Sequence, residues 1–290
     1  MGLGGYLMWT AVARQIYNAS GMKCIPVEML QHGTWKVIKS PIFHENDAIF
    51  QEFEDTENVF PLVLNNPDTN YCKQDTPVKA VHRHDRHIIR QICEYYGLSP
   101  SELKCELFFK NDEHHRVNSL LSNNSLSGQD FITIEPHTKN EYTINKTYPF
   151  EKWQTVVDDL SKKFKIVQIG QKTDQILKNC IDLTGKTSFR EAALLMSKAK
   201  LHVGPEGGLM HAANAVGTKC VIVITGFIHP RMTCYSNNIN IWIGKDHGPC
   251  GLKIHCEKCK KECDDHNPKE IVSKVEDALG FDWDSKWKRI

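Results

Sequence analysis

A glycine-rich turn between a predicted strand and a predicted helix constrains this chain more than any other feature. The apolar run at residues 201–203 leads into the turn at residues 204–208, and an amphipathic segment follows at residues 209–216. A helix that starts at such a turn has free backbone N–H groups and a positive dipole end, and Gly207 and Gly208 let a ligand approach closely. The turn therefore predicts a phosphate or diphosphate site, although simple tight packing produces the same pattern.

Strand-like and helix-like segments alternate on both sides of this turn. Ser188 is a typical helix N-cap, and Glu191, three residues later, completes a capping box. Such alternation predicts βαβ units on a parallel sheet, and therefore an α/β fold. Strands are expected at residues 131–135, 165–169, 201–203 and 220–224, and helices at residues 150–164, 188–198 and 209–216.

The first half of the chain has a weaker pattern. Residues 11–17 look helical, and residues 87–96 have the periodicity of an amphipathic helix that Gly97 is placed to end. Residues 59–64 contain a predicted strand.

The polar stretch at residues 118–130 is rich in Ser and Asn and is typical of a linker. The predicted boundary between two domains lies there. It separates an N-terminal domain, residues 1–128, from a C-terminal domain, residues 129–290.

The charge balance argues against nucleic acid as a partner. Lys and Arg total 36, Asp and Glu total 35, and the formal net charge is +1, so anion binding must come from a local site. No stretch approaches the ~20 consecutive apolar residues that a membrane-spanning helix needs. The first residues lack the basic region of a secretory signal, so we expect a cytoplasmic protein.

A cluster of four cysteines predicts a metal site near the C-terminus. A Cys-x-x-Cys pair places two thiolates on one turn, and two further thiolates lie within reach. Zinc is the first expectation and iron, alone or in an iron–sulfur cluster, the second, while unliganded thiols are the alternative. We expect a structural metal rather than a catalytic one. The four predicted ligands are Cys250, Cys256, Cys259 and Cys263, and the flanking histidines that could replace one of them are His247, His255 and His266.

A histidine-rich stretch offers a second set of metal-ligand types: His82, His84, Asp85 and His87. His84 and His87 have the spacing of two ligands on one helix face, which would suit a metal-dependent hydrolase. The interleaved arginines would repel a cation. We therefore favour an acceptor-side or structural role for this stretch over a metal site.

Residues 131–244 resemble the nucleotide-binding domain of the glycosyltransferase-B fold, and in particular the family of ADP-heptose–lipopolysaccharide heptosyltransferases. Residues 2–14 resemble the first-strand loop and first helix of that family, except that Gly5 stands where the family has the aspartate that serves as general base. The segments that carry the resemblance are His-Thr-Lys at residues 137–139, Lys-x-x-Pro…Trp at residues 146–153, the strand–Gly turn at residues 168–171, Asp-Leu-Thr-Gly-Lys-Thr-Ser at residues 182–188, and the glycine turn and helix at residues 204–215.

The resemblance implies an α/β protein with two Rossmann-like domains and a cysteine-rich metal-binding insertion near the C-terminus. It implies an inverting transfer of a heptose-type sugar from a nucleotide diphosphate sugar to a hydroxyl of a glycan or protein acceptor, with no catalytic metal. Lys146 would neutralise the diphosphate, and Glu206 would contact sugar hydroxyls. The expected donor-site residues are Thr138, Lys146, Gly170, Gln171, Glu206, Gly207, Gly208, Leu209 and His211.

Two further interpretations remain open. Glycine cannot accept a proton, so Gly5 favours a non-catalytic nucleotide-sugar-binding or assembly protein of the same fold as an alternative. His211 can be read either as an anion ligand or as a buried histidine satisfied by other side chains.

Overall fold

The computed structural model describes residues 2–52, 58–70, 72–82, 85–139 and 141–280. In the first half, α1 is followed by a three-stranded sheet, a separate antiparallel strand pair and two more helices. These elements are α1 (Leu3–Ser20), β1 (Lys23–Met29), β2 (Trp35–Val37), β3 (Val59–Val63), β4 (Cys72–Thr76), β5 (Lys79–His82), α2 (Ile88–Tyr95) and α3 (Asn111–Asn123).

The three-stranded sheet has the order β2-β1-β3, with β1 parallel to β3 and antiparallel to β2. Among the described residues, the second half contains six strands and six α-helices. They are β6 (Phe131–Ile134), α4 (Phe150–Leu160), β7 (Lys165–Gln168), β8 (Ile181–Asp182), α5 (Phe189–Met196), β9 (Leu201–Pro205), α6 (Gly208–Val216), β10 (Cys220–Ile224), α7 (Pro230–Thr233), β11 (Ile239–Trp242), α8 (Glu257–Asp265) and α9 (Lys269–Ala278).

The six strands form one parallel sheet in the order β11-β10-β9-β6-β7-β8. Every residue of β6, β9 and β10 is buried, as expected when helices cover both faces of a parallel sheet. Residues of α4 and α9 pack on one face, and residues of α5 and α6 pack on the other. The predicted α/β fold with a parallel sheet is confirmed.

The strand order places a topological switch point between β6 and β9. From β6 the chain continues to β7 and β8 on one side, and from β9 to β10 and β11 on the other. In open α/β sheets, ligands bind outside the carboxyl ends of the strands at this position. The glycine turn after β9 lies at this edge.

The two halves share one hydrophobic cluster. It contains Leu7 and Val12 of α1 together with Met210 and Ala213 of α6, all of them buried. A buried ion pair also joins the halves, because the Arg190 guanidinium of α5 donates two hydrogen bonds of 2.7 Å to the carboxylate of Glu113 on α3. The predicted boundary at residue 128 remains a prediction.

Local capping explains α5. The Ser188 hydroxyl accepts a hydrogen bond of 3.2 Å from the Glu191 amide, and the Glu191 carboxylate accepts one of 2.7 Å from the Ser188 amide. This is the predicted capping box, which satisfies two amides at the helix start.

Two sequence predictions in the first half are corrected. The linker at residues 118–130 begins too early, because α3 continues to Asn123. That helix buries a narrow stripe, Glu113, Val117 and Leu121, whose signal was hidden among Ser and Asn residues. The resemblance also implies a loop at the start of residues 2–14, and this expectation is wrong, since α1 starts at Leu3. No helix in the described part of the chain is long and apolar enough to cross a lipid bilayer.

Candidate functional site

The N-terminus of α6 is open to a ligand on one side. Gly207 precedes the helix with an extended backbone, φ 174° and ψ −164°. Apart from its chain neighbours, no atom lies within 4 Å of the position that a Cβ on Gly207 would take. The first amides of α6 lack partners within the helix, and amides in this position can bind an anion. Leu209 is buried and anchors this turn in the core.

Lys146 reaches this turn from the segment after β6. Its Nζ forms an ion pair with the carboxylate of Glu206, the residue before Gly207, and lies 5.5 Å from the centre of the Phe227 ring. The Glu206 side chain is 7% exposed and that of Lys146 is 22% exposed. Burial raises the pKa of Glu206, but Lys146 outweighs this effect and holds the pKa below its usual value. Lys146 therefore stands at the anion site, paired with a carboxylate.

His211 is a buried neutral histidine. Its Nδ1 lies 2.7 Å from the Tyr235 hydroxyl, which in turn lies 3.1 Å from the thiol sulfur of Cys105. Burial lowers the pKa of His211 to about 4. This geometry fits the buried histidine that is satisfied by other side chains. The role of His211 as an anion ligand stays a prediction.

Thr138, Gly170 and Gln171 lie at neighbouring strand ends. The Thr138 hydroxyl is 3.0 Å from the hydroxyl of Thr147, which follows Lys146. Gly170 follows β7 with φ +125°, a conformation that favours glycine, and Gln171 is exposed beside it. Because β7 is adjacent to β6 in the sheet, this turn lies beside the carboxyl end of β6.

Glu135 is a residue of this edge that sequence reasoning did not select. It directly follows β6, and its Oε1 would lie 3.1 Å from a Cβ on Gly170. Burial raises the pKa of Glu135 to about 8, so its carboxyl group is mostly protonated at neutral pH. A glutamate after a strand has no motif of its own, and only the adjacency of β6 and β7 gives it a place in the site.

The start of α1 closes the other side of the glycine turn. A Cβ on Gly4 would come within 3.0 Å of both the Gly208 Cα and the His211 ring, so this approach requires glycine. Gly5 lies in the first turn of α1 and carries no side chain that could accept a proton. A Cβ on Gly208 would meet the Phe189 ring at 3.3 Å, which shows how closely the three helices pack here.

A second group lies near the C-terminus and could hold a metal ion. The ligand atoms of His247, Cys256 and Cys259 all lie within 4.8 Å of one another. The Cys259 sulfur is 3.5 Å from His247 Nε2 and 3.3 Å from the sulfur of Cys250. Ligand atoms about 2.0–2.3 Å from a tetrahedral metal lie roughly 3.3–3.8 Å apart, so these distances fit one ion. Three side chains of suitable chemistry therefore converge, and Cys250 adjoins them through Cys259.

Cys263, the fourth cysteine predicted as a ligand, lies outside this metal group. It is buried in the hydrophobic cluster between the sheet, α4 and α9, together with Trp153 and Ile271. His247, one of the flanking histidines considered from the sequence, takes the corresponding place in the metal group. Its Nδ1 lies 2.7 Å from an oxygen of the partly buried Glu262 carboxylate, an ion-pair distance.

Backbone packing leaves just enough room for this group. A Cβ on Gly226, after β10, would lie 3.0 Å from both the Cys259 sulfur and His247 Nε2. A Cβ on Gly244 would lie 2.0 Å from the Gly226 Cα. The two glycines thus let the backbone after β10 and the backbone after β11 pack closely beside the ligands.

The histidine-rich stretch forms no such group among the residues that can be described. His87 is buried and caps α2, because its Nδ1 accepts a hydrogen bond of 3.2 Å from the Ile89 amide. Asp85 pairs with Arg86. His84 and the side chain of His82 lie outside the described residues.

The parallel sheet and its switch point define an α/β protein of the Rossmann-like type. The sequence model of glycosyltransferase family 9 (heptosyltransferase) matches residues 62–262, which is 201 of the 290 residues. This chain therefore belongs to glycosyltransferase family 9, a family of sugar-transferring enzymes. No curated protein matches it by sequence.

Solved structures show the same fold. A glycosyl transferase family 9 protein from Veillonella parvula DSM 2008 has a TM-score of 0.67 at 16% identity, over 96% of this chain and 94% of that one. The ADP-heptose lps heptosyltransferase II of E. coli has a TM-score of 0.62 at 14% identity, over 96% of both chains.

A third structure is the iron-containing dodecameric glycosyltransferase TibC from enterotoxigenic E. coli H10407. It has a TM-score of 0.64 at 15% identity, over 96% of this chain and 74% of TibC. At these identities the likeness to all three concerns the fold, and it agrees with the GT-B-like architecture expected from the sequence.

Proposed function

We propose that this chain transfers a sugar from a nucleotide diphosphate sugar to an acceptor hydroxyl, with inversion at the anomeric carbon. The observation that carries the proposal is the open N-terminus of α6 at the switch point, with Lys146 beside it. An ADP-heptose-type donor is favoured because the family is described as heptosyltransferases and because a TibC structure contains ADP-D-beta-D-heptose. The acceptor is a glycan or a protein.

The donor would lie with its diphosphate at the amides of Gly207, Gly208 and Leu209. The Lys146 ammonium group would interact with the phosphates as well as with Glu206. The Thr138 hydroxyl would donate a further hydrogen bond to the diphosphate. As the acceptor oxygen bonds to the anomeric carbon, the bond from that carbon to the diphosphate breaks and its electron pair leaves with the diphosphate. Fixed N–H dipoles and the ammonium group stabilise this charge without a catalytic metal.

The proton of the acceptor hydroxyl must go to a base, and Gly5 cannot supply one. This observation favours a second candidate function, a nucleotide-sugar-binding protein that does not turn its ligand over. Both functions use the same donor site, and they differ in the chemistry that follows binding.

One experiment separates them. The purified protein is incubated with ADP-heptose, with and without glycan acceptors, and ADP release and the anomeric configuration of the product are followed by NMR. Transfer with inversion that is lost in Lys146→Met supports the enzyme, and binding without ADP release supports the second candidate. Absence of any ADP or ADP-heptose binding contradicts both.

We further propose that His247, Cys250, Cys256 and Cys259 hold one structural metal ion. Zinc suits a three-sulfur, one-nitrogen set, and iron is the competing outcome because TibC is described as iron-containing. Thiolate ligands persist in a reducing compartment, in keeping with the cytoplasmic location that we propose. Metal analysis of the purified protein identifies the ion. Cys250→Ser should lose it, whereas Cys263→Ser should keep it.

A further inference from the structure

Asn145 connects the metal group to the donor site. It is 5% exposed and occupies a short 3-10 turn, Ile144–Lys146, directly before the lysine that faces α6. Its side-chain amide donates hydrogen bonds of 2.7 Å to the carbonyl oxygens of Leu252 and Ile254. Its amide oxygen accepts one of 2.9 Å from the backbone N–H of Cys256. A single side chain thus binds three backbone groups of the segment that carries the metal ligands.

The backbone of Asn145 is held from the opposite direction. Its carbonyl oxygen accepts a hydrogen bond of 2.6 Å from the hydroxyl of Thr225, which follows β10. Thr143 adds a hydrogen bond of 2.9 Å from its hydroxyl to the Leu252 carbonyl. The turn is therefore held between the edge of the sheet and residues 250–256, the cysteine-bearing segment.

The cysteine-bearing segment is ordered by hydrogen bonds more than by apolar packing. Between Cys250 and Cys256, most residues are exposed or only partly buried, and Ile254 is 54% exposed. Backbone hydrogen bonds to Gly226, Phe227 and Val78 hold part of this segment. The hydrogen bonds to Asn145 and ligation of a metal add to them, because few apolar contacts do so. Ordering of the segment and ordering of the turn therefore support each other.

The position of Asn145 affects the donor site because a single peptide bond joins it to Lys146. Lys146 follows Asn145, and its Nζ extends to Glu206 at the start of α6. A shift of the turn moves the ammonium group relative to the α6 amides, and a charge–phosphate contact weakens steeply when its geometry is lost. Asparagine suits this position because it offers two donors and an acceptor without a charge.

We propose that Asn145 is a positioning residue that couples metal binding to donor binding. A metal ion held by His247, Cys250, Cys256 and Cys259 strengthens binding of the nucleotide diphosphate at Lys146. The proposal rests on the proposed function of the glycine turn as the donor site. By linkage, bound nucleotide must strengthen retention of the metal by the same factor.

The test measures the ADP affinity of the zinc-loaded protein and of the protein after chelation, by calorimetry. For wild type we expect chelation to weaken ADP binding by about tenfold. Asn145→Ala should weaken ADP binding of the zinc-loaded protein by a similar factor, and chelation should then have little further effect. Asn118→Ala, which removes an exposed asparagine side chain from α3, is the matched control and should behave as wild type.

Zinc retention against a competing chelator supplies a second readout that does not require the variant. At equilibrium, saturating ADP should raise the zinc affinity of the wild-type protein by the same factor. The proposal is overturned if ADP leaves zinc retention unchanged, or if Asn145→Ala and chelation weaken ADP binding independently of each other. Binding of ADP with no coupling to zinc defeats this inference alone, whereas no ADP binding to zinc-loaded wild type defeats the proposed function as well.

Discussion

At the scale of single residues, the donor site depends on a lysine and a glutamate that neutralise each other. Glu206 is nearly fully buried, and the adjacent Lys146 ammonium keeps it ionised. A diphosphate that binds at Gly207 adds negative charge to this pair and draws on the same ammonium group. The pair therefore has two roles, stability of the free protein and affinity for the donor, and substitutions can separate them.

Lys146→Met should lower the free energy of unfolding by about 1–3 kcal/mol, because it leaves the buried Glu206 carboxylate without its cation. Partial exposure of Lys146 keeps the loss below that of a fully buried pair. Adding Glu206→Gln should restore most of this stability but not ADP affinity. Urea denaturation and ADP titration of both variants check the two roles, and a stable Lys146→Met protein would contradict the account.

Glu135 gives a prediction about pH. Burial raises its pKa in the folded protein to about 8, above the ordinary value of a glutamate. The carboxyl group thus costs no stability at pH 4, where both states are protonated, and the folded state loses stability as the pH rises toward 8. Glu135→Gln should be more stable than wild type at pH 8 by at least about 1 kcal/mol, and equal at pH 4. Equal stabilities at both pH values would refute the raised pKa.

Elements with strong local signals could be predicted, and elements held by distant partners could not. The capping box of Ser188 and the glycine turn before α6 could be predicted because both depend on residues close together in the sequence. In contrast, α3 depends on Glu113, whose partner Arg190 lies 77 residues away.

The site residues show the same limit. His247 was one of three flanking histidines, and spacing could not choose among them. Glu135 depends on which strands are neighbours, which no local pattern reveals.

The segment after β10 gives a prediction at the element scale. Gly226→Ala places a methyl group 3.0 Å from the Cys259 sulfur and from His247 Nε2. Ligands bound to a metal cannot move aside, so zinc affinity should fall by at least about tenfold, as for other contacts next to a metal shell. Zinc competition titrations measure this effect. Gly2→Ala, whose Cβ meets no atom within 4 Å, is the control, and unchanged zinc affinity in Gly226→Ala would contradict the ligand assignment.

For the whole molecule, the shared hydrophobic cluster makes the two halves interdependent. Because α1 and α6 belong to the same cluster, neither half buries its apolar surface alone. We expect β1 and β10 to lose protection from amide hydrogen exchange at the same urea concentration, in one cooperative opening. Loss of protection in β1 at a clearly lower urea concentration would instead indicate two independently stable domains.

The central claim is that the open face of Gly207 receives a diphosphate. Gly207→Asp tests it most directly, because the extended backbone accepts any residue and the new Cβ meets no atom within 4 Å. The variant should be as stable as wild type, while its carboxylate repels the phosphates and lowers ADP affinity at least about 100-fold in calorimetric titration. Gly207→Asn, which adds nearly the same bulk without the charge, is the control and should lose much less ADP affinity. Undiminished ADP binding by Gly207→Asp would contradict the account.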